Sequence, residues 1–358
     1  MRFTLDDSIM IKGELATAGS KMLHNFKAPF SAAVFDKLKN TGLEYIGQTR
    51  PDEFGAGQLF NDTDDLAEAV KSVADGQCDV ALCNDVFGKI RRQAPENGLF
   101  YIHPTYGTVS RFGLIPAISS MDQIGVVCRN ADDGFATLSR IAGHDENDGT
   151  TYPQGTYHYS PQTGKMKIGI PYNVLELSDD KSKQAILAFS SKSESEGFTL
   201  KYFDVLHQVR YILGCAEISN NTTRYDGIKF GYRTKDFSGV NELYLKTRTE
   251  GFGPDMKLAS LMGCMVLSQE HYDSLYLKAM QIRRQVKQHC DKLFLRYDVI
   301  ALPVSMAGCG PYKQSALHAL ATLAGLPSVS MPYIESGIQL VAQAKNENAL
   351  FSICRGGI

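Results

Sequence analysis

A lysine in a short turn is the first candidate for chemistry in this sequence. Lys89 follows a glycine in the stretch CNDVFGKIRRQAP, residues 83–95. A glycine and a lysine after an apolar strand are typical of the phosphate-binding loop, which also needs an earlier glycine and a Ser or Thr after the lysine. Cys83 and Ile90 occupy those two positions. The sequence therefore excludes a phosphate-binding loop of that kind.

The histidines and cysteines show no spacing that indicates a metal or redox centre. The chain has eight histidines without an H-E-x-x-H pattern, and its eight cysteines form no C-x-x-C pair. Scattered cysteines in apolar context are typical of buried free thiols in a reducing compartment, whereas disulfide frameworks belong to short secreted chains. We therefore expect no metal, no cofactor and no disulfide.

The composition is that of a globular protein with a large core. Of 358 residues, 43% are hydrophobic and 21% charged, and the net charge of −2 gives no general attraction for nucleic acid or membranes. Asp6 and Asp7 stand where a signal peptide needs its apolar run, and no apolar stretch approaches the roughly 18 residues that span a membrane. These features predict a cytoplasmic protein without direct membrane contact.

Helical and strand patterns alternate along the chain, which predicts an α/β fold with a mostly parallel or mixed sheet covered by helices on both faces. We expect a long mobile loop at 145–165 and a solvated helix end at 191–197. The predicted helices are 29–41, 62–75, 182–192, 201–221, 271–297 and 315–324; the predicted strands are 3–11, 44–49, 78–83, 167–173, 297–305, 328–332 and 337–343.

Several longer stretches resemble one known family. They include SKMLHNFKAPFSAAVFDKLKNTG (20–42), HPTYGTVSRFGLIPAISSMDQIGVVCRNADD (103–133) and LYLKTRTEGFGPDMK (243–257). These stretches are similar to the A subunit of the tRNA-dependent amidotransferase, a member of the amidase signature family. The resemblance runs from about residue 3 to about residue 345. It implies a single α/β domain over 1–358 with a large mixed sheet, and without the helical segment that precedes this part in the family.

Members of that family hydrolyse amides with a triad of a serine nucleophile, a second serine in the cis conformation and a lysine. A serine hydroxyl is a weak nucleophile at neutral pH and needs a base, which the buried lysine supplies through the second serine. Backbone N–H groups of a glycine-rich turn stabilise the oxyanion. The resemblance thus implies which positions of this chain should carry catalysis.

The residues at those positions differ from the family's triad. The family's lysine corresponds to Asp6, counted back from Ser20, and its bridging serine corresponds to Asp65, in a segment that lacks the family's glycine-serine loop. The turn DVFGKIR places Lys89 at the nucleophile and Phe87 at a glycine of the oxyanion turn. We therefore predict that the triad is replaced and that the Phe87 ring crowds the substrate position.

The expected glutamine pocket is altered as well. The family's pocket arginine falls at Leu258 or Ala259, and its pocket aspartate falls at Ser315. None of these side chains carries the charge that the family uses to hold the substrate. The resemblance therefore implies that substrate binding is changed together with catalysis.

The charged residues around Lys89 allow two interpretations. We predict a structural ion pair between Lys89 and Asp6 or Asp65, because the two carboxylates would compensate the charge of a semi-buried lysine. The alternative is a new active site with Lys89 as base or nucleophile. For Arg91 and Arg92 we favour a solvated turn or a buried Arg–Asp pair over an anion site. The basic helical stretch 281–288, QIRRQVKQ, is interpreted as a solvated face.

Three functions remain open. We favour a catalytically inactive relative that acts as an accessory or regulatory partner of a tRNA-dependent amidotransferase. It would contact the B and C subunits, which the resemblance implies as partners, and tRNA only through the complex. The second is an active amidotransferase component that supplies ammonia from glutamine for transamidation of Glu-tRNA(Gln) or Asp-tRNA(Asn). The third is a binding module for a small amide or an amino acid.

Overall fold

The computed structural model describes residues 1–57, 59–60, 64–153, 157–162 and 164–356. Their strands form one ten-stranded sheet in the order β2-β1-β3-β5-β4-β9-β10-β8-β6-β7. In chain order the strands are β1 Arg2–Asp6, β2 Glu44–Thr49, β3 Val80–Asn84, β4 Phe100–His103, β5 Ile124–Cys128, β6 Lys167–Pro171, β7 Glu194–Phe198, β8 Val299–Pro303, β9 Ser328–Tyr333 and β10 Ser336–Ala342.

The sheet is mixed, with parallel pairing at both sides of an antiparallel centre. β1 pairs in parallel with β2 and β3, and β6 pairs in parallel with β7 and β8. The pairs from β3 through β5, β4, β9 and β10 to β8 are antiparallel. The predicted α/β class with a large mixed sheet is therefore confirmed.

Helices cover both faces of this sheet. The α-helices are α1 Ala33–Asn40, α2 Glu68–Ala74, α3 Lys89–Glu96, α4 Ala131–Ile141, α5 Tyr172–Leu175, α6 Asp180–Ser190, α7 Phe203–Thr222, α8 Val240–Gly251, α9 Pro254–Val266, α10 Lys278–Leu293, α11 Pro311–Gln314, α12 Ala319–Ala324 and α13 Glu347–Cys354. Short 3-10 helices span Lys21–Leu23, Glu53–Gly55 and Ser315–His318, and a π-helix spans Tyr272–Leu277.

The alternation of strand side chains divides the core into two layers. In β8, Val299 and Ala301 pack with the residues of α1, α4, α6 and α13, whereas Ile300 and Leu302 pack with those of α7, α9, α10 and α12. Successive strand residues point to opposite faces, so a sheet covered on both sides has strands that are apolar throughout. This explains why β8 reads as an unbroken apolar run in the sequence.

Several predicted boundaries were wrong. Residues 194–197 of the predicted solvated helix end belong instead to the edge strand β7, which is held by backbone pairing with β6 and shows no apolar pattern. The helix predicted from residue 62 begins at Glu68, and residues 64–67 are not helical. Strands β4 and β5 were not predicted. Within the loop predicted at 145–165, positions 154–156 and 163 lie outside the described residues.

Two further sequence expectations concern membranes and metals. In the parts of the chain that the structure describes, no helix has both the length and the apolarity needed to cross a bilayer. The same residues contain no group of three or more His, Cys, Asp or Glu side chains placed to hold a metal ion. All eight cysteines are free thiols, and five of them are buried.

Candidate functional site

The turn between β3 and α3 is built around one buried aspartate. The Asp85 carboxylate accepts hydrogen bonds from the backbone N–H groups of Gly88 at 3.0 Å, Ile90 at 3.3 Å and Arg91 at 3.0 Å. These are the N–H groups at the start of a helix that lack a partner within the helix. The guanidinium of Arg91 also donates to Asp85, with Nε 3.1 Å from Oδ2. The turn is thereby fixed, and the buried Arg–Asp pair is one of the two arrangements expected for Arg91.

The glycine before Lys89 is required by the geometry of the turn. Gly88 has φ of +92°, a left-handed backbone conformation that residues with a side chain rarely adopt. A Cβ on Gly88 would also lie 2.5 Å from the Cβ of His318. The turn can therefore keep its path and its contact with His318 only with a glycine at this position.

Lys89 forms an ion pair with a residue that no local sequence pattern indicated. It is the first residue of α3, only 6% exposed, and its Nζ lies 3.0 and 2.9 Å from the two carboxylate oxygens of Asp52. The prediction that Lys89 pairs with Asp6 or Asp65 was therefore wrong. The flexible lysine side chain reaches across to Asp52, which adjoins the 3-10 helix Glu53–Gly55 and is half-exposed.

Asp6, at the end of β1, is held by other partners. Its carboxylate oxygens accept hydrogen bonds from Thr49 Oγ1 at 2.9 Å and from the backbone N–H of Asn84 at 3.3 Å. Asp6 is 2% exposed, and burial raises the pKa of its carboxyl well above the usual range, despite the two hydrogen bonds. Asp6 is therefore a carboxyl group that takes up a proton readily, not a counter-ion of Lys89.

Asp65 lies in a segment that is tied to α3 through the buried side chains of Arg92 and Gln93. Arg92 forms an ion pair with Asp64, and Gln93 Nε2 donates to the carbonyl oxygen of Asp65 at 3.1 Å. The backbone N–H of Ala67 donates to Gln93 Oε1 at 2.9 Å. The Asp65 backbone is thus fixed by α3 while its side chain remains exposed.

One cavity brings these residues together. Asp6, Asp65 and Lys89 all line it, together with Asp52. It encloses about 260 Å³ at the N-terminal end of α3. Among the described residues that line it, none is a serine, threonine, cysteine or histidine. The cavity can bind and neutralise charge, and its carboxyl groups can exchange protons. Its described lining offers no hydroxyl or thiol nucleophile.

On another side of the same turn, Phe87 is part of a packed aromatic cluster. The ring is 1% exposed, and its centroid lies 5.0 Å from that of Tyr211. The Arg210 guanidinium lies 5.2 Å from the Phe87 centroid, within the range of a cation–π interaction. Gly214 leaves space for the ring, because a Cβ there would lie 3.3 Å from its tip. The volume around Phe87 is therefore filled by side chains.

Ser315 forms polar contacts next to this aromatic cluster. Its Oγ accepts a hydrogen bond from Arg210 Nη2 at 2.8 Å and lies 3.1 Å from His207 Nδ1, while its carbonyl oxygen accepts from Arg210 at 2.6 Å. Burial and the nearby Arg210 charge lower the pKa of His207 to about 3. Its imidazole is therefore neutral at physiological pH.

The two other predicted pocket positions lie apart from the cavity. Leu258 is 43% exposed on α9, and Ala259, next to it, is fully buried in the helical layer of the core. Neither residue lines the cavity at the N-terminal end of α3. Of the residues assigned through the resemblance, the structure therefore brings Asp6, Asp65 and Lys89 together but leaves Leu258 and Ala259 outside.

Two residues of the site were missed at the sequence level. Asp52 lies in DEFGAG, but a partner 37 positions from Lys89 leaves no local spacing signal. Arg210 lies on the buried helix α7 and is fully buried; among the described residues no carboxylate forms an ion pair with it. Burial lowers its pKa to about 10. The sequence feature that could have identified Arg210 is a charged residue within an otherwise apolar helical pattern.

Comparison with known proteins identifies the family of this chain. The model of the Amidase family matches residues 70–351. The chain belongs to the amidase family. The A subunit of the glutamyl-tRNA(Gln) amidotransferase of Lachnospira eligens is 34% identical over 398 residues, with 99% of this chain and 82% of that protein covered. The corresponding protein of Lachnoclostridium phytofermentans, which has the same name, is 35% identical over 365 residues, with 92% and 74% covered.

Solved structures of the amidase family share the fold. The A subunit of the glutamyl-tRNA(Gln) amidotransferase of Thermotoga maritima superposes with a TM-score of 0.78 at 24% identity, covering 99% of this chain and 82% of that one. The native peptide amidase of Stenotrophomonas maltophilia superposes with a TM-score of 0.77 at 21% identity, covering 99% and 81%. The resemblance found in the sequence and the predicted fold are both confirmed.

Proposed function

We propose that this amidase-family protein is catalytically inactive and acts as an accessory or regulatory partner of a tRNA-dependent amidotransferase. The observation that carries the proposal is the ion pair of Lys89 with Asp52, at the position that the resemblance assigns to the nucleophile. The described lining of the surrounding cavity contains carboxyl groups but no hydroxyl or thiol.

The chemistry of amide hydrolysis supports this proposal. A serine nucleophile works only with a base that removes its proton and with N–H donors for the oxyanion. Asp6 stands where the family's lysine base is expected, and a buried carboxyl with a raised pKa is no substitute for a relay to a serine that is absent. Phe87 and Arg210 fill the space beside the turn. Three separate requirements of catalysis are thus unmet together.

The accessory role rests on similarity over nearly the whole chain. Relatives named as the A component of the amidotransferase match 92–99% of it, and the sheet and turn are kept although the proposed catalytic positions differ. The Asp85–Arg91 pair still fixes the turn. In this proposal the protein uses its surface to contact the B and C subunits of an amidotransferase, and it reaches tRNA only through that complex.

The inactivity is tested with purified protein by measuring ammonia released from glutamine, asparagine and simple amides. We expect no release above a blank without protein. Lys89→Ser should also release none, because the base and the relay are absent as well. Turnover by the native chain that is abolished by Lys89→Met would instead identify an active amidase with Lys89 in a catalytic role.

The accessory role is tested by affinity capture from an extract of the source cells, followed by mass spectrometry. We expect amidotransferase B and C subunits to be recovered. Failure to recover these subunits would contradict the role. A thermal shift with amino acids or amides, without such recovery, would favour the binding module.

A further inference from the structure

A groove beside α10 has an unusual charge. It lies between α10, the C-terminal end of α12 and the loops after β4 and β10, and it encloses about 460 Å³. The charged side chains that line it are Arg283, Arg284 and Lys287, and no acidic residue is among its described lining. The chain as a whole has 37 basic and 39 acidic residues. The groove is therefore a local concentration of positive charge in an acidic protein.

The first of these cations is structural. Arg283 donates from Nε to the carbonyl oxygen of Leu323 at 2.8 Å, from Nη1 to Ser120 Oγ at 2.8 Å and from Nη2 to the Ser120 carbonyl oxygen at 2.9 Å. Arg283 thereby donates to a carbonyl group at the C-terminal end of α12. Without this guanidinium, the partial negative charge of the helix end would repel an anion. Arg283 shapes the floor of the groove and prepares it for negative charge.

The other two cations are available. Arg284, directly after Arg283, and Lys287 are both exposed on α10. Lys287 lies 3.8 Å from Asp291, but both side chains are 56% exposed, and ion pairs of this kind are weak. A guanidinium and an ammonium at this spacing on a helix match the two modes of phosphate binding: a planar fork and a point charge.

Aromatic side chains form another part of the groove. Tyr106 and Tyr152 line it, and the Nζ of Lys345 lies 3.6 Å from the centroid of the Tyr152 ring. Lys345 adopts a left-handed φ of +70°, a conformation that is strained for a non-glycine residue, and Thr105 Oγ1 holds its N–H at 2.8 Å. Lys345 does not itself line the groove, but it places a third cation against this aromatic surface.

The acids near the groove already have partners. Glu217 accepts from the backbone N–H of Ser120 at 2.9 Å and also from its hydroxyl. Glu347 is buried and accepts from the backbone N–H of Thr105 at 2.9 Å. Neither carboxylate lines the groove. The positive charge of Arg284 and Lys287, offset only by the exposed pair of Lys287 with Asp291, is therefore left for a ligand.

We propose that this groove binds a phosphate group attached to a planar ring, that is, a nucleotide, either free or at the phosphorylated end of an RNA. The phosphate lies between Arg284 and Lys287, and the ring packs against the tyrosine wall. The basic stretch 281–288, interpreted from the sequence as a solvated face, then has a binding role. This role is independent of the proposed inactivity, since the groove shares no residue with the cavity at α3.

The test is titration calorimetry of the full chain with AMP, adenosine, inorganic phosphate and a 5′-phosphorylated RNA hexanucleotide. We expect AMP or the RNA to bind at least about tenfold more tightly than adenosine or phosphate alone. Arg284→Gln and Lys287→Gln should each weaken binding by about tenfold, as expected for one hydrogen bond to a charged group. Lys292→Gln, the same charge change on an exposed lysine near the end of α10, serves as the matched control.

Each outcome decides the proposal. Tighter binding of AMP identifies a free nucleotide, and tighter binding of the RNA that AMP displaces identifies an RNA end. No heat with any of the four probes at millimolar concentration would overturn the proposal. The proposal would also be overturned if Lys292→Gln lost as much affinity as Arg284→Gln and Lys287→Gln, or if phosphate alone bound as tightly as AMP. Because the variants are at exposed positions, circular dichroism that matches the native chain excludes misfolding as the cause.

Discussion

Replacing Asp52 with asparagine should destabilise the protein more than removing the lysine with which it pairs. The Lys89 side chain is 7% exposed and that of Asp52 is 42% exposed. Asp52→Asn leaves a nearly buried ammonium without its counter-ion. Lys89→Met removes that ammonium and leaves an apolar side chain of similar length, while the Asp52 carboxylate can turn to water. The two single substitutions therefore differ although they break the same contact.

The size of the effect follows from the exposure of the two partners. Breaking a fully buried pair costs about 3–5 kcal/mol, and exposed pairs contribute about 0.2–1 kcal/mol. With one partner buried and the other half-exposed, we expect about 1–3 kcal/mol for Asp52→Asn and less than about 1 kcal/mol for Lys89→Met. At about 2.1 cal/mol/K of unfolding entropy per residue, the larger effect lowers Tm by about 1–4 °C.

The assay is urea unfolding of both single variants and of the double variant, followed by far-ultraviolet circular dichroism because the chain has no tryptophan. We expect Lys89→Met/Asp52→Asn to be about as stable as Lys89→Met alone. Asp236→Asn is the control, because Asp236 pairs with Lys246 at 2.9 Å and is 95% exposed, so the loss should stay below about 0.5 kcal/mol. A loss in Lys89→Met equal to or greater than that in Asp52→Asn would refute the reasoning.

Three further predictions concern buried groups. Burial raises the pKa of Asp122 to about 6, so the free energy of unfolding should fall as pH rises from about 4 to 6. In Asp122→Asn this fall should be smaller by about 3 kcal/mol. The hydrogen bonds lost in the variant lower its stability equally at every pH and do not change this difference. Burial also raises the pKa of Asp6. In urea unfolding at pH 5 and 8, the stability of Asp6→Asn relative to the native chain should therefore be greater at pH 8. An unchanged relative stability would contradict a raised pKa of Asp6. Phe87→Ala should cost about 3–5 kcal/mol by calorimetry, because the ring is buried against Tyr211, and a near-neutral change would show that the cluster is loosely packed.

The strongly periodic elements could be predicted from the sequence. Helix α7 and strand β8 were located to within a few residues, because burial on one or both faces leaves an apolar pattern. Strand β2 was also placed at its observed bounds, although Thr49 is its only buried residue. Strand β7 was missed because an edge strand of glutamate, serine and glycine depends on its backbone pairing with β6. Such pairing is a property of the neighbour and has no signature within the segment itself.

The sequence by itself determined the family, the α/β class and the residues that surround the turn at Lys89, because motif spacing and hydrophobic periodicity are properties of the chain. Only the tertiary structure decided which carboxylate pairs with Lys89. Asp6, Asp52 and Asp65 all line one cavity, and local spacing does not distinguish them. Asp6 is held by Thr49 and Asn84, so the lysine takes Asp52. Ion pairing depends on distance and burial in three dimensions, and these are set by packing between distant segments.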